Sequence, residues 1–336
     1  MFTARVVAFL GSSLLITTWA GSSLAQSGAI YSYKGQDVKA ADLSVADQLG
    51  IFEIEEERYA RLTAKIDDMI LAQHFDALAK AKGLSRVEVE KKELSVADPT
   101  DKDANQWFEA NKSRLPSHYS LDQIKDEIKT HLRETNLKTK RAELLRSLKD
   151  KGEAKLLVEP PKAPTVVIKT DGRPERGAKQ AKVTLVEFAD YQCPHCKAAG
   201  ESIDKVLKAF DGKVKLVFLD FPINPSGVSL SVAHGAVCAD EQGKYWDYHD
   251  KAYSSQRDLS MESPLKLARE LKLNEAKFQA CMASTKPKDR VAQDRAEGER
   301  LGLTGTPAIF INGRRVRSYE EDDLKKAVSE ALARGA

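Results

Sequence analysis

Cysteine is scarce in this chain of 336 residues: there are four. There is no second Cys-x-x-Cys. The histidines outside the one Cys-x-x-Cys motif (His74, His118, His131, His234 and His249) show no metal-ligand spacing with one another. Structural zinc is therefore excluded as the reason for the cysteines, and no metal or other cofactor is expected. An excess of charge of one sign is also lacking, since 53 basic residues stand against 50 acidic ones for a net charge of +3. With no basic cluster interleaved with aromatics, nucleic acid is excluded as a partner held through phosphate contacts. Four methionines are too few to line an adaptable, sticky groove. Past the first 25 residues no run is long and apolar enough to cross a membrane. No internal repeat is present, so a solenoid is excluded.

What is present begins with a leader pattern. Arg5 precedes the apolar stretch Val6–Leu10 and Leu14–Ile16, and small residues follow up to Ala25. Ser23 and Ala25 suit the −3 and −1 positions of a secretory signal peptide covering residues 1–25. The four cysteines then lie in an oxidising compartment, most simply the periplasm. Residues 26–158 read as mostly helical after a small hairpin turning at Lys34-Gly35. Leu62, Ile66, Met69, Ile70 and Leu78 recur at helical steps up to Gly83. Ser85 with Glu88 forms a capping box, and residues 121–150 carry one long apolar stripe. Pro160, Pro161 and Pro164 cannot continue a helix, so residues 159–178 are expected to connect two domains. From residue 179 the class changes to α/β. A buried-strand pattern at 183–188 is followed by Cys193-x-x-Cys196, a helix, a strand at 214–218, only helical signals over 228–302, a strand at 307–311, the hairpin turn Asn312-Gly313 and a closing helix.

Thiol–disulfide exchange needs a thiolate attacker and a second thiol that resolves the mixed disulfide. Cys193 at the exit of an apolar strand falls where a helix must begin. There unpaired N–H groups and the macrodipole favour negative charge. Pro194 suits the first helical position, and His195 can place a cation or donor beside the Cys193 sulfur. Cys238 and Cys281 lie among helical signals with nothing activating nearby. Pairing as a structural disulfide is expected, with a second redox pair as the alternative.

Glu187-Phe188-Ala189-Asp190-Tyr191-Gln192-Cys193-Pro194-His195-Cys196 resembles the active-site segment of DsbA-like thioredoxin-fold proteins. Gly305-Thr306-Pro307-Ala308-Ile309-Phe310-Ile311-Asn312-Gly313 resembles their cis-proline loop, and Ala233-His234 to Tyr245-Trp246 their helical insertion. The resemblance implies an α/β, thioredoxin-like fold over 179–336 and a catalytic pair with Cys193 as nucleophile and Cys196 as buried resolving thiol. It implies substrate contacts at Pro194, Thr306 and a cis Pro307, and a buried acid, Glu187, relaying protons to Cys196. The alternative for Glu187 is an edge-strand acid facing water; its apolar neighbours Val186 and Phe188 favour burial. Implied partners are unfolded or reduced exported proteins and a redox partner that resets the disulfide. His195 points to an oxidising couple, whereas Thr306 before the proline is closer to the isomerases, so oxidase and isomerase both stay open.

The first half holds no catalytic constellation. Its hairpin at Lys34-Gly35-Gln36, the helix end Ala81-Lys82-Gly83-Leu84-Ser85 and the segment Leu156–Pro161 resemble the helical N-domain of SurA-like chaperones. It is expected to bind unfolded polypeptide, to form a homodimer, or to act as a spacer. A chaperone whose thiol site merely tethers clients is the reading from a different functional class.

Overall fold

The computed structural model describes residues 28–335 apart from 113, 114 and 117; the expected leader lies outside the described residues. The chain divides into two units. One holds Glu55–Pro160, and the other holds Pro161 onward together with the described residues up to Ile54. The helical domain expected at 26–158 therefore starts later than its composition suggests.

A hairpin opens the described chain. Strands β1 (Ala29–Tyr33) and β2 (Gln36–Lys39) turn through Lys34 and Gly35, both at positive φ. Helix α1 (Val45–Lys82) follows and ends at Gly83, φ +66°, which a left-handed helix stop requires. In the helical unit, α2 (Arg86–Glu93) starts on the Ser85–Glu88 capping box and α3 (Asp101–Asn111) on the equivalent Thr100–Asp103 box. Helix α4 (Leu121–Asp150) is unbroken. Two small cores hold the unit. Leu71, Phe75 and Val89 gather with Leu148, while Ala104 and Phe108 gather with Ile128.

The second unit is built on a five-stranded sheet in the order β3-β5-β4-β6-β7. Strands β4 (Val183–Ala189) and β5 (Val214–Asp220) run parallel and are joined by α5 (Pro194–Ala209). Strand β6 (Ala308–Ile311) is antiparallel to β4, and β7 (Arg314–Val316) folds back on β6 through Asn312-Gly313. Alternation divides each central strand between two cores. Val183 and Leu185 pack with Ala199, Ile203 and Val206 of α5 and with Leu324 and Val328 of α11 (Glu321–Ala333). Val186 and Phe188 pack on the opposite face with Val217, Leu219 and Phe310.

Five helices are inserted between β5 and β6: α6 (Val228–Asp240), α7 (Tyr245–Ser254), α8 (Ser263–Glu270), α9 (Glu275–Ala283) and α10 (Lys286–Arg300). Gly235 lets α6 approach α7, because a Cβ there would collide with the Tyr248 hydroxyl. Cys238 of α6 and Cys281 of α9 form a disulfide with both residues buried.

The expected connection at 159–178 is in part structural. Val166 is buried in the second core and its N–H donates to the Gly313 carbonyl at 2.8 Å. Glu175–Gly177 form β3, an edge strand antiparallel to β5. Prolines forbid helix here, yet extended backbone can still pair at a sheet edge, and three residues are too few to display a strand period.

Candidate active site

Strand β4 ends at Ala189 and the chain turns before α5. Asp190 shapes this turn. Buried, it accepts the Gln192 N–H at 2.6 Å on one oxygen and the N–H groups of Ile223 and Asn224 at 2.8 and 3.0 Å on the other; the Ser229 hydroxyl donates to it as well. Its carbonyl accepts the Cys193 N–H at 3.0 Å. Gln256, beyond α7, donates to the carbonyls of Tyr191 and Cys193 at 2.9 and 2.8 Å. The turn is thus held from strand and insertion alike.

Cys193 occupies the N-cap position of α5, with extended backbone (φ −76°, ψ 117°), and Pro194 follows in the first turn. Its sulfur stands at the helix start, where the backbone N–H groups of His195 and Cys196 and the helix dipole favour negative charge. Cys193 is partly exposed; Cys196, one turn on, is 1% exposed, and both are free thiols. The Cys193 thiol is lowered from its ordinary 9.0 to about 5. The hydrogen bond with the Cys196 thiol is the largest cause, with Thr306 and the N–H groups of Cys196 and His195 adding to it against partial burial. Burial pushes the Cys196 thiol far up, and the neighbouring Cys193 and Glu187 push the same way. One sulfur is set up as an anion and the other as a neutral thiol.

The Thr306–Pro307 peptide is cis, and the Thr306 carbonyl lies 3.4 Å from the Cys193 sulfur. Thr306, Pro307, Cys193 and Cys196 thus share one site. Glu187 sits on β4, a central strand between β5 and β6, and is 2% exposed, so the water-facing edge alternative does not describe it. Its Oε1 is buried without a hydrogen-bond partner, and burial, with Asp204 and Cys193 adding, raises its carboxyl to about 8. His195 has a partner outside the motif. Its ring is exposed and its Nδ1 lies 2.8 Å from the Tyr319 hydroxyl, while the backbone N–H of His195 is among the groups that lower the Cys193 thiol.

Asp190, Gln256 and Tyr319 escaped the sequence reading. Asp190 left a signal, since an aspartate at a strand exit commonly accepts the N–H two residues on. Gln256 and Tyr319 are 63 and 124 residues from their partners and left none.

Among known proteins, the family described as Thioredoxin matches residues 169–330. That stretch carries a thioredoxin-like fold. The thioredoxin domain has relatives among curated proteins. A probable disulfide bond formation protein D of Bacillus anthracis is 29% identical over 167 residues, covering 46% of this chain and 76% of that protein. The Na(+)/H(+) antiporter NhaA 3 of Salinispora tropica is 32% identical over 160 residues, which is 47% of this chain but only 24% of the antiporter. The chain thus spans about a quarter of the antiporter's length. A thioredoxin-like oxidoreductase from Silicibacter pomeroyi, of known structure, is 32% identical and aligns with a TM-score of 0.43, covering 49% of this chain and 94% of its own. The thioredoxin match starts at residue 169 and leaves the helical unit untouched.

Proposed function

We propose that this protein is a thiol–disulfide oxidoreductase that forms or reshuffles disulfides in exported proteins, with Cys193 as nucleophile and Cys196 as resolving thiol. The observation that carries the reading is the contrast between two sulfurs one helical turn apart, the outer lowered to about 5 and the inner raised by burial.

In the oxidising direction the protein starts with a Cys193–Cys196 disulfide. A substrate thiolate attacks the Cys193 sulfur, the Cys193–Cys196 bond breaks, and Cys196 leaves with the electron pair. Cys196 takes a proton from Glu187, which is protonated below about pH 8. A second substrate thiolate then attacks the substrate sulfur of the mixed disulfide and Cys193 departs as a stable thiolate. Two electrons have passed from substrate to protein. Of the two substrate thiol protons, one is matched on Cys196 and one in solvent. An extended substrate then pairs with the Thr306 backbone as an added strand would, a role supported by the Thr306 carbonyl lying beside the attacked sulfur. A periplasmic location and a redox partner that resets the disulfide complete the proposal, and the relative named disulfide bond formation protein D supports it.

The test runs reduced and scrambled ribonuclease side by side with the mature full chain, its double variant Cys193→Ala, Cys196→Ala, and a protein-free control. Wild type is expected to speed recovery of ribonuclease activity, and the double variant to match the control. A double variant that still prevents aggregation and complements a deletion in full would instead make the protein a chaperone.

A further inference from the structure

A cavity of about 300 Å³ lies in the thioredoxin unit between β4, α5 and α7. Glu187 of β4 and His249 of α7 both line it, and both are nearly fully buried, at 2% and 7% exposure. Each carries a buried polar atom with no partner, Oε1 of Glu187 and Nε2 of His249. A histidine this deep is expected to have both nitrogens satisfied, so the unpaired Nε2 calls for an explanation.

The other nitrogen fixes the tautomer. His249 Nδ1 lies 2.9 Å from Oδ1 of Asp250, whose carboxyl is held below the usual range by the His249 and Arg176 hydrogen bonds against partial burial. An ionised carboxylate only accepts, so Nδ1 carries the hydrogen and Nε2 presents a lone pair. Burial lowers His249, keeping the ring neutral. Asp250 is itself 55% exposed and reaches solvent. The cavity volume has room for several waters, and its wall is polar enough to bind them.

We propose that His249 is a positioning residue for proton delivery to Cys196. Waters in the cavity hold its Nε2 and the Glu187 carboxyl in one hydrogen-bonded path that ends at the surface carboxylates Asp204 and Asp250. The inference rests on the disulfide-exchange function proposed above. Each time Cys196 leaves as a thiolate, Glu187 gives up its proton, and a carboxylate that deep must regain one before the next turnover. The charged groups facing the path are Arg176 of β3, Lys197, Glu201 and Asp204 of α5, and Asp250 of α7. The neutral phenols of Tyr191, Tyr245 and Tyr253 close the ring's remaining sides.

Rapid mixing of the oxidised full chain with a reduced dithiol peptide, from pH 5 to pH 9, tests this. Peptide oxidation by His249→Leu is expected to be about tenfold slower at neutral pH, with a displaced pH profile, while the Cys193 titration and the equilibrium potential stay at wild-type values. His249→Gln keeps a hydrogen-bonding group near the Nε2 position and is expected to recover most of the rate. Should the leucine variant not fold, Asp250→Asn, at an exposed position, reads the same path through a rate about threefold lower with the same displaced profile. A folded His249→Leu, or an Asp250→Asn, with wild-type rate and pH profile overturns the inference while leaving the function intact. Wild type that does not oxidise the peptide at all would overturn the function itself.

Discussion

Cys193→Ser abolishes disulfide exchange, whereas Cys196→Ser keeps the first attack and accumulates a mixed disulfide with its substrate. The opposite outcomes follow from the positions of the two sulfurs. Cys193 is the partly exposed atom at the helix start, next to the Thr306 carbonyl, and it is the thiol stabilised as an anion. A serine hydroxyl at that position stays protonated at any working pH and cannot form the covalent intermediate. Cys196 is buried and held neutral, so substrate does not reach it. Its task is to break the mixed disulfide from within, and without it that species persists. Non-reducing electrophoresis of each variant after incubation with a disulfide-bonded client, whose disulfide the Cys193 thiolate attacks while the client's other sulfur leaves as a thiolate, reads the difference directly. A slow-migrating, reductant-sensitive band is expected for Cys196→Ser alone, and such a band from Cys193→Ser would reverse the assignment.

Removing the other cysteine pair should affect stability instead. Cys238 and Cys281 are 43 residues apart in sequence and join α6 to α9 inside the insertion. Closing a loop of that size restricts the unfolded chain by about 4 kcal/mol on the chain-entropy argument. Cys238→Ala with Cys281→Ala also leaves two sulfur-sized gaps in a buried cluster that includes Val237, Tyr248 and Phe278. The unfolding midpoint of the thioredoxin unit is expected to fall by roughly 10 °C, which calorimetry of the full chain measures. Exchange activity below that midpoint should persist, because this pair is buried and bonded to itself whereas Cys193 is a partly exposed free thiol. Loss of activity in a folded double variant would mean that this pair exchanges as well.

Elements with long periodic patterns were legible in the sequence. Helix α4 shows an apolar stripe across 30 residues, and β4 reads as a continuous apolar run because both of its faces are buried. The cysteine motif was legible because its parts are adjacent in the chain. Glu187 was legible as a buried acid, but its depth follows from β4 lying between β5 and β6, which no local pattern specifies. Strand β3 was hidden by its three-residue length. His249 looked like an ordinary helix-face histidine, since its burial depends on rings drawn from the turn after β4, from β5 and from α7. The Tyr319 partner of His195 was illegible for a related reason, because it sits 124 residues away just before α11.

The most direct measurement is the ionisation of Cys193 in the reduced, mature protein, followed by thiolate absorbance or by the pH dependence of alkylation, with Cys193→Ser as the blank. The account predicts a midpoint near 5. Because folding depresses this thiol, its contribution to the stability of the reduced form is fully present above pH 9 and is lost as pH falls through 5. The gap between reduced and oxidised stability should therefore widen in favour of the reduced form as pH rises from 5 to 9. A midpoint near 9 with a gap that ignores pH would contradict the account, since the helix start would then not be holding the sulfur as an anion.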